Sequence, residues 1–294
     1  MNYAVCNELF EHLSLKASCK LAAEYGFSGL ELAPYTLAES PRRLVREEFS
    51  EVKTILSGFE MTFVGLHWLL NVPEGLHLTV PDASVRKISW DAMKYLVEFC
   101  GMMGGGVMVL GSGRKRNAER IPLQTAMDYL KEGLIDIAPL AEAADTKILI
   151  EPLSKTITNV INTLKEAQGL IQGIDGTAVG SIFDFHNCVH ETRSWPDLID
   201  TYTDIIHHVH FNEIDGGYPG SGGSNFMPAF KALHRNNYSG WVSLEVFNVT
   251  DPPEQVLEST AREIQKIEEH IEFTDYREKQ LHTTTSIKKG ERSA

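Results

Sequence analysis

Short apolar runs alternate with longer amphipathic stretches along almost the whole chain. The apolar runs are rich in Val, Ile and Leu, which is typical of strands in a parallel sheet that is buried on both faces. These runs predict eight strands, at residues 3–6, 29–33, 61–67, 107–110, 148–150, 179–183, 206–209 and 241–244.

The stretches between the apolar runs repeat their hydrophobic residues at helical spacing. The first predicted helix begins after the N-cap candidate Ser14 and ends at Gly26. The last one opens at the sequence Asp251-Pro252-Pro253, which places proline in the first turn. Between them, helices are predicted at residues 42–57, 84–100, 121–144, 163–172, 196–202 and 226–234.

Eight strands, each followed by a helix, predict one α/β domain, a (β/α)8 TIM barrel that spans residues 1–273. Right-handed crossovers make all strands of such a barrel parallel, and 294 residues are enough to build it. Residues 274–294 contain few apolar side chains and a Thr-Thr-Thr run, so we expect them to form a disordered tail.

The composition and charge of the chain argue against nucleic acid and membranes as binding partners. The formal net charge of −13 argues against general binding of nucleic acid through its phosphates. Four cysteines without CxxC or zinc-ribbon spacing predict reduced thiols. The N-terminus lacks the pattern of a signal peptide, and no apolar run is long enough to cross a membrane. We therefore expect a cytoplasmic protein without a membrane partner, and the sequence leaves a homo-oligomer open.

Four ionisable side chains follow the last four apolar runs, at intervals of 33, 26 and 35 residues. In a (β/α)8 barrel the carboxyl ends of the strands form the rim that carries catalytic residues. A buried charge at that rim is costly unless a partner compensates it. The pattern therefore predicts that one divalent cation is bound by Glu151, Asp184, His210 and Glu245.

Three carboxylates and one imidazole suit Mn²⁺, Mg²⁺ or Co²⁺ better than a structural Zn²⁺, although zinc is possible. Such an ion can hold two neighbouring oxygens of a hydroxy-ketone and stabilise the enediolate that forms when an α-proton leaves. Glu151 and Glu245 end strands five and eight, so they could face opposite sides of a bound sugar. One glutamate would remove a proton and the other would return it, which inverts the carbon.

Several other residues near the predicted rim have two possible interpretations. His67 ends strand three and either contacts substrate or is simply packed. The run Arg114-Lys115-Arg116 follows strand four and either holds a phosphate or carboxylate of the substrate or is a solvated charge run, which is the more common case. Trp68 and Trp195 lie beside strand ends and could stack on a sugar ring or pack against the rim.

Six short motifs are the basis of a family resemblance over residues 1–272. They are Gly65-Leu66-His67-Trp68, Glu151-Pro152-Leu153, Asp184-Phe185-His186-Asn187, His208-Val209-His210 followed by Glu213, Pro219-Gly220, and Ser243-Leu244-Glu245. With them the chain resembles the xylose-isomerase-like TIM-barrel superfamily of sugar isomerases and epimerases. That superfamily includes D-tagatose/D-psicose 3-epimerases and, more distantly, endonuclease IV.

The resemblance implies roles for individual residues. In the ketose 3-epimerases, the residues that match the four strand-end positions bind one divalent metal, and those that match Glu151 and Glu245 move the proton. A histidine just after the metal-binding aspartate contacts substrate oxygens, and His186 would take this role. The same comparison makes Glu213 a further candidate for binding a small sugar substrate.

Three positions depart from the epimerase pattern. The family has Asp-x-x-His where this chain has Asp184-Phe185-His186, and it has an arginine at the position of Gly216 and a glutamate at that of Ile157. The arginine and the glutamate help to hold substrate in the family. Their absence leaves the metal chemistry in place but argues against a free ketohexose as the substrate.

The sequence thus favours a divalent-metal-dependent epimerase or isomerase of a sugar or sugar derivative. The alternative on the same scaffold is a metal-dependent phosphodiesterase like endonuclease IV, which uses three zinc ions and a histidine after strand four. Here strand four is followed by Gly111-Ser112-Gly113. A metal-free barrel that only binds a ligand is a third possibility, but it would leave three carboxylates clustered without compensation.

Overall fold

The computed structural model describes residues 1–247 and 249–290 and contains a closed barrel of eight parallel strands in sequence order. The strands are β1 Asn2–Cys6, β2 Gly29–Leu32, β3 Thr62–Leu66, β4 Gly106–Leu110, β5 Thr146–Ile150, β6 Val179–Asp184, β7 Ile206–Phe211 and β8 Trp241–Leu244. Strand β1 pairs with both β2 and β8, which closes the barrel. The predicted (β/α)8 fold is confirmed.

Helices connect the strands around the outside of the barrel. A π-helical segment, Leu44–Glu48, joins α2 and α3, so these three pieces occupy the place of the predicted helix 42–57. The helices are α1 Leu15–Glu24, α2 Pro41–Arg43, α3 Phe49–Gly58, α4 Ala83–Met103, α5 Leu123–Ala143, α6 Leu164–Ile171, α7 Trp195–Tyr202, α8 Met227–Arg235 and α9 Pro253–Gly290.

Local capping fixes where several of these helices begin and end. The hydroxyl groups of Ser14, Thr163 and Ser194 each accept a hydrogen bond from a backbone N–H three residues later. Gly104 ends α4 in the left-handed conformation, with φ of 105°, which is the usual geometry for a glycine at this position.

An aromatic cluster outside strands β6 and β7 orients the site residues of the second half of the barrel. Phe183 and Phe185 face outward, with ring centroids 4.9 Å apart, and Phe185 in turn contacts Phe211 of β7. Since side chains alternate along a strand, Asp184 and His210 must face the barrel interior. Burial of these large rings outside the barrel therefore fixes which side of each strand carries the polar groups.

The predicted strand ends are accurate to one or two residues. Glu151 and Glu245 directly follow β5 and β8, as predicted, whereas Asp184 and His210 lie within β6 and β7. Of the segment 274–294, α9 is described as far as Gly290 and residues 291–294 lie outside the described residues, so a disordered tail stays a prediction. Within the described part of the chain, no helix is long and apolar enough to span a membrane.

Candidate active site

The four strand-end residues predicted as metal ligands meet at the carboxyl-terminal rim of the barrel. One ligand atom from each lies within 4.8 Å of the others, and all four side chains are buried. The Nδ1 atom of His210 lies 2.8 Å from Glu245 Oε2, 3.6 Å from Asp184 Oδ2 and 3.7 Å from Glu151 Oε1. Three carboxylates therefore surround one nitrogen of a single imidazole.

Unsatisfied atoms in this cluster show that its donors fit a cation. His210 Nδ1 and Glu245 Oε2 are both buried, and neither makes a hydrogen bond with any residue that the structure describes. Buried polar atoms are normally paired, so two such atoms side by side indicate a missing partner. Oxygen donors with one imidazole are ligands that Mn²⁺, Mg²⁺ or Co²⁺ accept. The residues present therefore fit one divalent ion.

Electrostatics separates the carboxylates of the cluster into two kinds. Burial raises the pKa of Glu151 to about 8, and the charges of Glu245 and Asp184 add to this effect. Burial likewise raises the pKa of Glu245. Burial also opposes ionisation of Asp184, but His210 and the other hydrogen bonds to its carboxyl outweigh it and lower this pKa to about 2. Asp184 is thus ionised at neutral pH, whereas the pKa of Glu151 lies near neutrality and that of Glu245 is raised above its ordinary value.

Asn187 joins two of the carboxylates and was not predicted from the sequence. Its side-chain amide donates to Asp184 Oδ2 at 3.0 Å and to Glu151 Oε1 at 3.3 Å, and its backbone N–H donates to Asp184 Oδ1 at 3.0 Å. It lies three residues after Asp184, where the epimerase motif Asp-x-x-His places its histidine. An uncharged asparagine gives little signal in one sequence, so only this motif spacing could have identified it.

A cavity of about 460 Å³ opens above the cluster, which is a volume typical of small-molecule sites. Ile157 and Phe247 give part of its wall an apolar character. Six of the residues predicted for catalysis or substrate binding line it, namely His67, Trp68, Arg114, Glu151, His186 and Glu245.

Among the lining residues, His67 and His186 are held in place by carboxylate and carbonyl groups. His67 is buried, with Nε2 2.5 Å from Glu8 Oε2 and Nδ1 3.5 Å from Glu31 Oε1. His186 donates from Nδ1 to the carbonyl oxygen of Ile214 at 2.6 Å. The two ring nitrogens of His67 thus face Glu8 and Glu31, so His67 contributes only the surface of its ring to the cavity wall. His186 is held through Nδ1 and can offer Nε2 to an oxygen of a ligand.

Trp68 lies at the cavity mouth in a constrained backbone conformation. Its φ is +52°, in the left-handed region that a bulky side chain seldom adopts, and 40% of its surface is exposed. Such a conformation persists only where the surrounding structure holds it, and it is common at ligand-binding positions. An exposed indole at this place is available as a flat surface for a ligand.

Glu213 does not line the cavity. Its buried carboxylate accepts hydrogen bonds from the backbone N–H groups of Gly220, Gly222 and Ser224, at 3.2 to 3.4 Å. These contacts shape the glycine-rich loop after β7. The structure thus places Glu213 beneath that loop rather than with the other predicted substrate-binding residues.

The three basic residues after β4, Arg114, Lys115 and Arg116, lie in two different environments. Arg114 is exposed and Lys115 is half-buried, and both line the cavity mouth. Arg116 is fully buried and donates to the carbonyl oxygens of Gly111, Val160 and Glu151. The interpretation as a solvated charge run is therefore wrong for Arg116, because its guanidinium links the ends of three chain segments beside the site.

Two further buried residues behind His210 were missed in the sequence. Glu31 of β2 is fully buried, with Oε2 2.7 Å from His208 Nε2 and Oε1 3.1 Å from His210 Nε2. Burial opposes ionisation of Glu31, but the two imidazoles outweigh it and hold its pKa well below the usual range. The available signals were a glutamate inside the apolar run Gly-Leu-Glu-Leu and a histidine two residues before His210.

The two substrate-holding positions at which the chain departs from the epimerase pattern also lie near the cavity. Ile157 is 38% exposed on its wall. Gly216 has φ of +86°, and a Cβ atom there would lie 3.2 Å from both Cβ and Cδ2 of Phe247. The site therefore has an apolar side chain and a tightly packed glycine where relatives place polar groups.

Comparison with known proteins identifies a matching family and several named relatives. The family described as "Xylose isomerase-like TIM barrel" matches residues 19–267. A probable ketose 3-epimerase of Synechocystis sp. is 27% identical over 244 residues, covering 78% of this chain and 77% of the relative. A 3-dehydro-D-guloside 4-epimerase of Escherichia coli is 24% identical over 274 residues, covering 89% and 98%.

Among solved structures, the 3-keto-D-glucoside 4-epimerase from E. coli superimposes with a TM-score of 0.78 at 21% identity. The match covers 90% of this chain and 99% of that one. At this level of identity the superposition supports the fold, whereas any argument about activity depends on the residues of the site.

Proposed function

Because the chain belongs to the xylose isomerase-like TIM barrel family, we propose that it is a sugar epimerase, an enzyme of the isomerase class. The observation that supports this most directly is the pair of buried glutamates at the ends of β5 and β8, whose carboxylates lie 3.7 Å and 2.8 Å from His210 Nδ1. The two relatives described above are a probable ketose 3-epimerase and a 3-dehydro-D-guloside 4-epimerase.

In this proposal the four clustered residues hold one divalent ion, with Mn²⁺, Mg²⁺ or Co²⁺ favoured over Zn²⁺. The ligands are Glu151, Asp184, His210 and Glu245. When bound, the ion withdraws electron density from a substrate carbonyl and stabilises negative charge on its oxygen. Asp184 contributes a fixed negative charge, because its pKa of about 2 keeps it ionised at physiological pH.

The two glutamates exchange a proton with the carbon next to the carbonyl. One carboxylate takes the proton as the C–H bond breaks, and the bonding electron pair moves toward the carbonyl oxygen. The other glutamate then gives its proton to the same carbon from the opposite face, which inverts the centre. A carboxylate held at a fixed position can act as the general base, and its protonated form as the general acid.

The cavity walls supply the groups that orient the sugar. His186 contacts its hydroxyl or carbonyl oxygens, His67 forms part of the wall beside the sugar, and Trp68 stacks on an apolar face of the ring. Arg114 at the mouth binds an electronegative substituent. Glu213 does not contact the sugar; it fixes the loop after β7 by accepting three hydrogen bonds from backbone N–H groups.

A sugar derivative fits this cavity better than a free ketohexose. Ile157 and Gly216 offer no polar group where the ketose 3-epimerases have a glutamate and an arginine. One relative, covered over 98% of its length by 89% of this chain, is an epimerase of a 3-dehydro-glycoside rather than of a free ketose. We therefore propose a keto sugar that carries a further substituent, which lies against the apolar wall.

The first test is metal content after reconstitution with Mn²⁺ or Co²⁺ and desalting. About one ion per wild-type chain is expected, and its loss in Asp184→Asn would assign the site to the predicted ligands. Ketoses and keto-glycosides are then incubated with the loaded protein in D₂O. An epimerised product with deuterium at a single carbon supports the proposal, whereas a wild-type protein that retains no metal would contradict it.

The phosphodiesterase alternative has little support from the site. The residue after β4 is Gly111, and the neighbouring lining residues are Val109, Ser112 and Gly113, so this side of the cavity lacks the expected histidine. Cleavage of abasic-site DNA by the purified protein, together with two or three zinc ions per chain, would favour that alternative instead.

A further inference from the structure

The carboxylate of Glu31 lies on the far side of His210 from the predicted metal position. Its Oε1 atom is 3.1 Å from His210 Nε2, whereas the three ligand carboxylates approach the other ring nitrogen, Nδ1. Glu31 is fully buried on β2, and it reaches His210 across the barrel. Each nitrogen of this one imidazole therefore faces a different set of acidic groups.

The contact with Glu31 determines which tautomer of His210 is available to a cation. A carboxylate can only accept a hydrogen bond, so Nε2 must carry the proton that it donates to Glu31 Oε1. A neutral ring that is protonated at Nε2 presents a lone pair at Nδ1. That atom is buried, makes no hydrogen bond within the described chain and lies beside Glu245.

His208 holds the Glu31 carboxylate in this position. It lies two residues before His210 on β7, so both rings point into the barrel, and their centroids are 5.2 Å apart at an angle of 85°. The Nε2 atom of His208 is 2.7 Å from Glu31 Oε2, so the two imidazoles each occupy one oxygen of the same carboxylate. This arrangement leaves Glu31 no freedom to turn toward the metal side of the ring.

We propose that Glu31 is a positioning residue, which fixes the ring orientation and the Nε2–H tautomer of His210 so that Nδ1 is available as a metal ligand. This inference rests on the metal site of the proposed function and extends it to a residue outside the ligand set. Partners of this kind behind a ligating histidine increase the basicity of the ligand, and their loss typically weakens metal binding about 10- to 100-fold.

The decisive variant is Glu31→Gln, which keeps the shape of the side chain. A glutamine can accept a hydrogen bond from only one of the two imidazoles, because its amide group must donate to the other. Either His210 is driven to the Nδ1–H tautomer, or it retains a weaker, neutral acceptor. We expect the Kd for Co²⁺ to rise about 10- to 100-fold, with a changed visible absorption spectrum of the bound Co²⁺, in a protein whose circular dichroism is unchanged.

Ser181→Ala is the matched control for a general effect on the barrel. Ser181 is fully buried on β6, and its hydroxyl donates to the carbonyl oxygen of Ile150, a hydrogen bond that involves neither Glu31 nor its two histidines. It should lower the melting temperature while leaving the Co²⁺ affinity and spectrum unchanged. If Ser181→Ala weakened Co²⁺ binding as much as Glu31→Gln, the role of Glu31 would be merely structural and the proposal would be overturned.

A measurement on the wild-type chain covers the case in which Glu31→Gln fails to fold. In ¹⁵N-histidine-labelled protein loaded with Zn²⁺, which is diamagnetic, long-range ¹H–¹⁵N spectra distinguish the two ring nitrogens. The His210 ring should carry its proton on Nε2 and bind metal through Nδ1. The opposite assignment would overturn the proposal.

Failure of this proposal can be told apart from failure of the proposed function. Wild-type protein that binds Co²⁺ and a Glu31→Gln variant that binds it equally well would refute only the positioning role. Wild-type protein that binds no divalent ion would refute both.

Discussion

The two halves of the barrel use buried carboxylates in opposite ways. In the second half, the glutamates after β5 and β8 crowd around His210 Nδ1, and burial raises the pKa of both. In the first half, Glu31 is at least as deeply buried, yet the imidazoles of His208 and His210 hold its pKa well below the usual range. Both halves thus place acidic groups in the interior, but of these three glutamates only Glu31 has both oxygens paired with imidazoles, which β7 contributes from the second half.

This difference distinguishes carboxylates that can still bind a ligand from carboxylates that hold other residues of the site in place. A buried carboxylate whose two oxygens are both paired has no remaining capacity and serves to hold its partners. A buried oxygen without a hydrogen bond, such as Glu245 Oε2, still has to be satisfied. Burial of a carboxylate alone therefore does not identify a catalytic acid. A buried carboxylate oxygen that lacks a hydrogen-bond partner is the more reliable indication.

If the glutamates of the second half move the proton, replacing either should have the largest effect of any substitution. We expect Glu151→Gln and Glu245→Gln each to lower the turnover number about 10²- to 10⁴-fold, because general acid–base catalysis contributes that much. Steady-state kinetics on the epimerised substrate measures the loss, and circular dichroism checks the fold. Glu74→Gln, at an exposed position in the loop after β3, is the control and should behave as wild type. Normal turnover in either site variant would contradict the assigned roles.

The uncompensated charge of the second half should also make stability depend on pH and metal. The pKa of Glu151 rises from 4.5 to about 8 on folding, so its stabilising contribution is complete below pH 4.5 and is lost as the pH rises through about 8. A bound divalent ion relieves this cost. The increase in melting temperature caused by Mn²⁺ should therefore grow between about pH 6 and about pH 9.

The apparent affinity for the metal should likewise increase with pH. Binding must displace the proton of Glu151, so affinity should rise up to about tenfold per pH unit below the pKa of about 8 and then level off. Isothermal titration at several pH values tests this. An affinity independent of pH over this range would indicate that Glu151 is already ionised in the metal-free protein.

Crowding the Glu151 carboxylate without changing its charge should produce a smaller effect. A Cβ atom at Gly111 would overlap with Glu151 Oε2, which must then move away from its fellow ligands. Gly111→Ala should weaken Mn²⁺ binding about tenfold or more, since small displacements at such sites are costly. Gly223→Ala, where a Cβ has nothing within 4 Å, should leave binding unchanged. Equal affinities for both variants would place the metal away from Glu151.

The rim of the first half should influence binding rather than chemistry. Trp68→Ala removes the exposed indole at the cavity mouth, and we expect KM to rise about 3- to 10-fold with kcat nearly unchanged. Because the side chain is 40% exposed, the melting temperature should change little. A fall in kcat without a change in KM would instead place Trp68 in the catalytic step.

The sequence alone indicated that the four strand-end residues of the second half lie close together, because the signal for this is local. Each apolar run of β5 to β8 has its ionisable residue at or next to its end, and a parallel barrel brings such ends together whatever the details of packing. The eight strands were recognisable for the same reason, since burial on both faces gives nearly continuous apolar runs.

The first half could not be predicted in this way because its contacts are distant in the chain. Glu31 and His208 are 177 residues apart, and they meet only once the barrel has closed with a particular register. A single charged residue in the middle of a short apolar run gives no indication of its partner. Sequence patterns also could not distinguish Arg114 from Arg116, because a short 3-10 helix, Gly113–Lys115, turns one toward the cavity and the other into the interior.

Gly216 limits how the preference of this enzyme could change during evolution or in the laboratory. Its left-handed backbone is strained for a residue with a side chain, and a Cβ atom there would lie 3.2 Å from both Cβ and Cδ2 of Phe247, so that ring must shift to accommodate an arginine. A smaller residue at position 247 would remove this contact. Directed-evolution libraries that vary both positions together should therefore yield more folded arginine variants than single-site libraries at position 216.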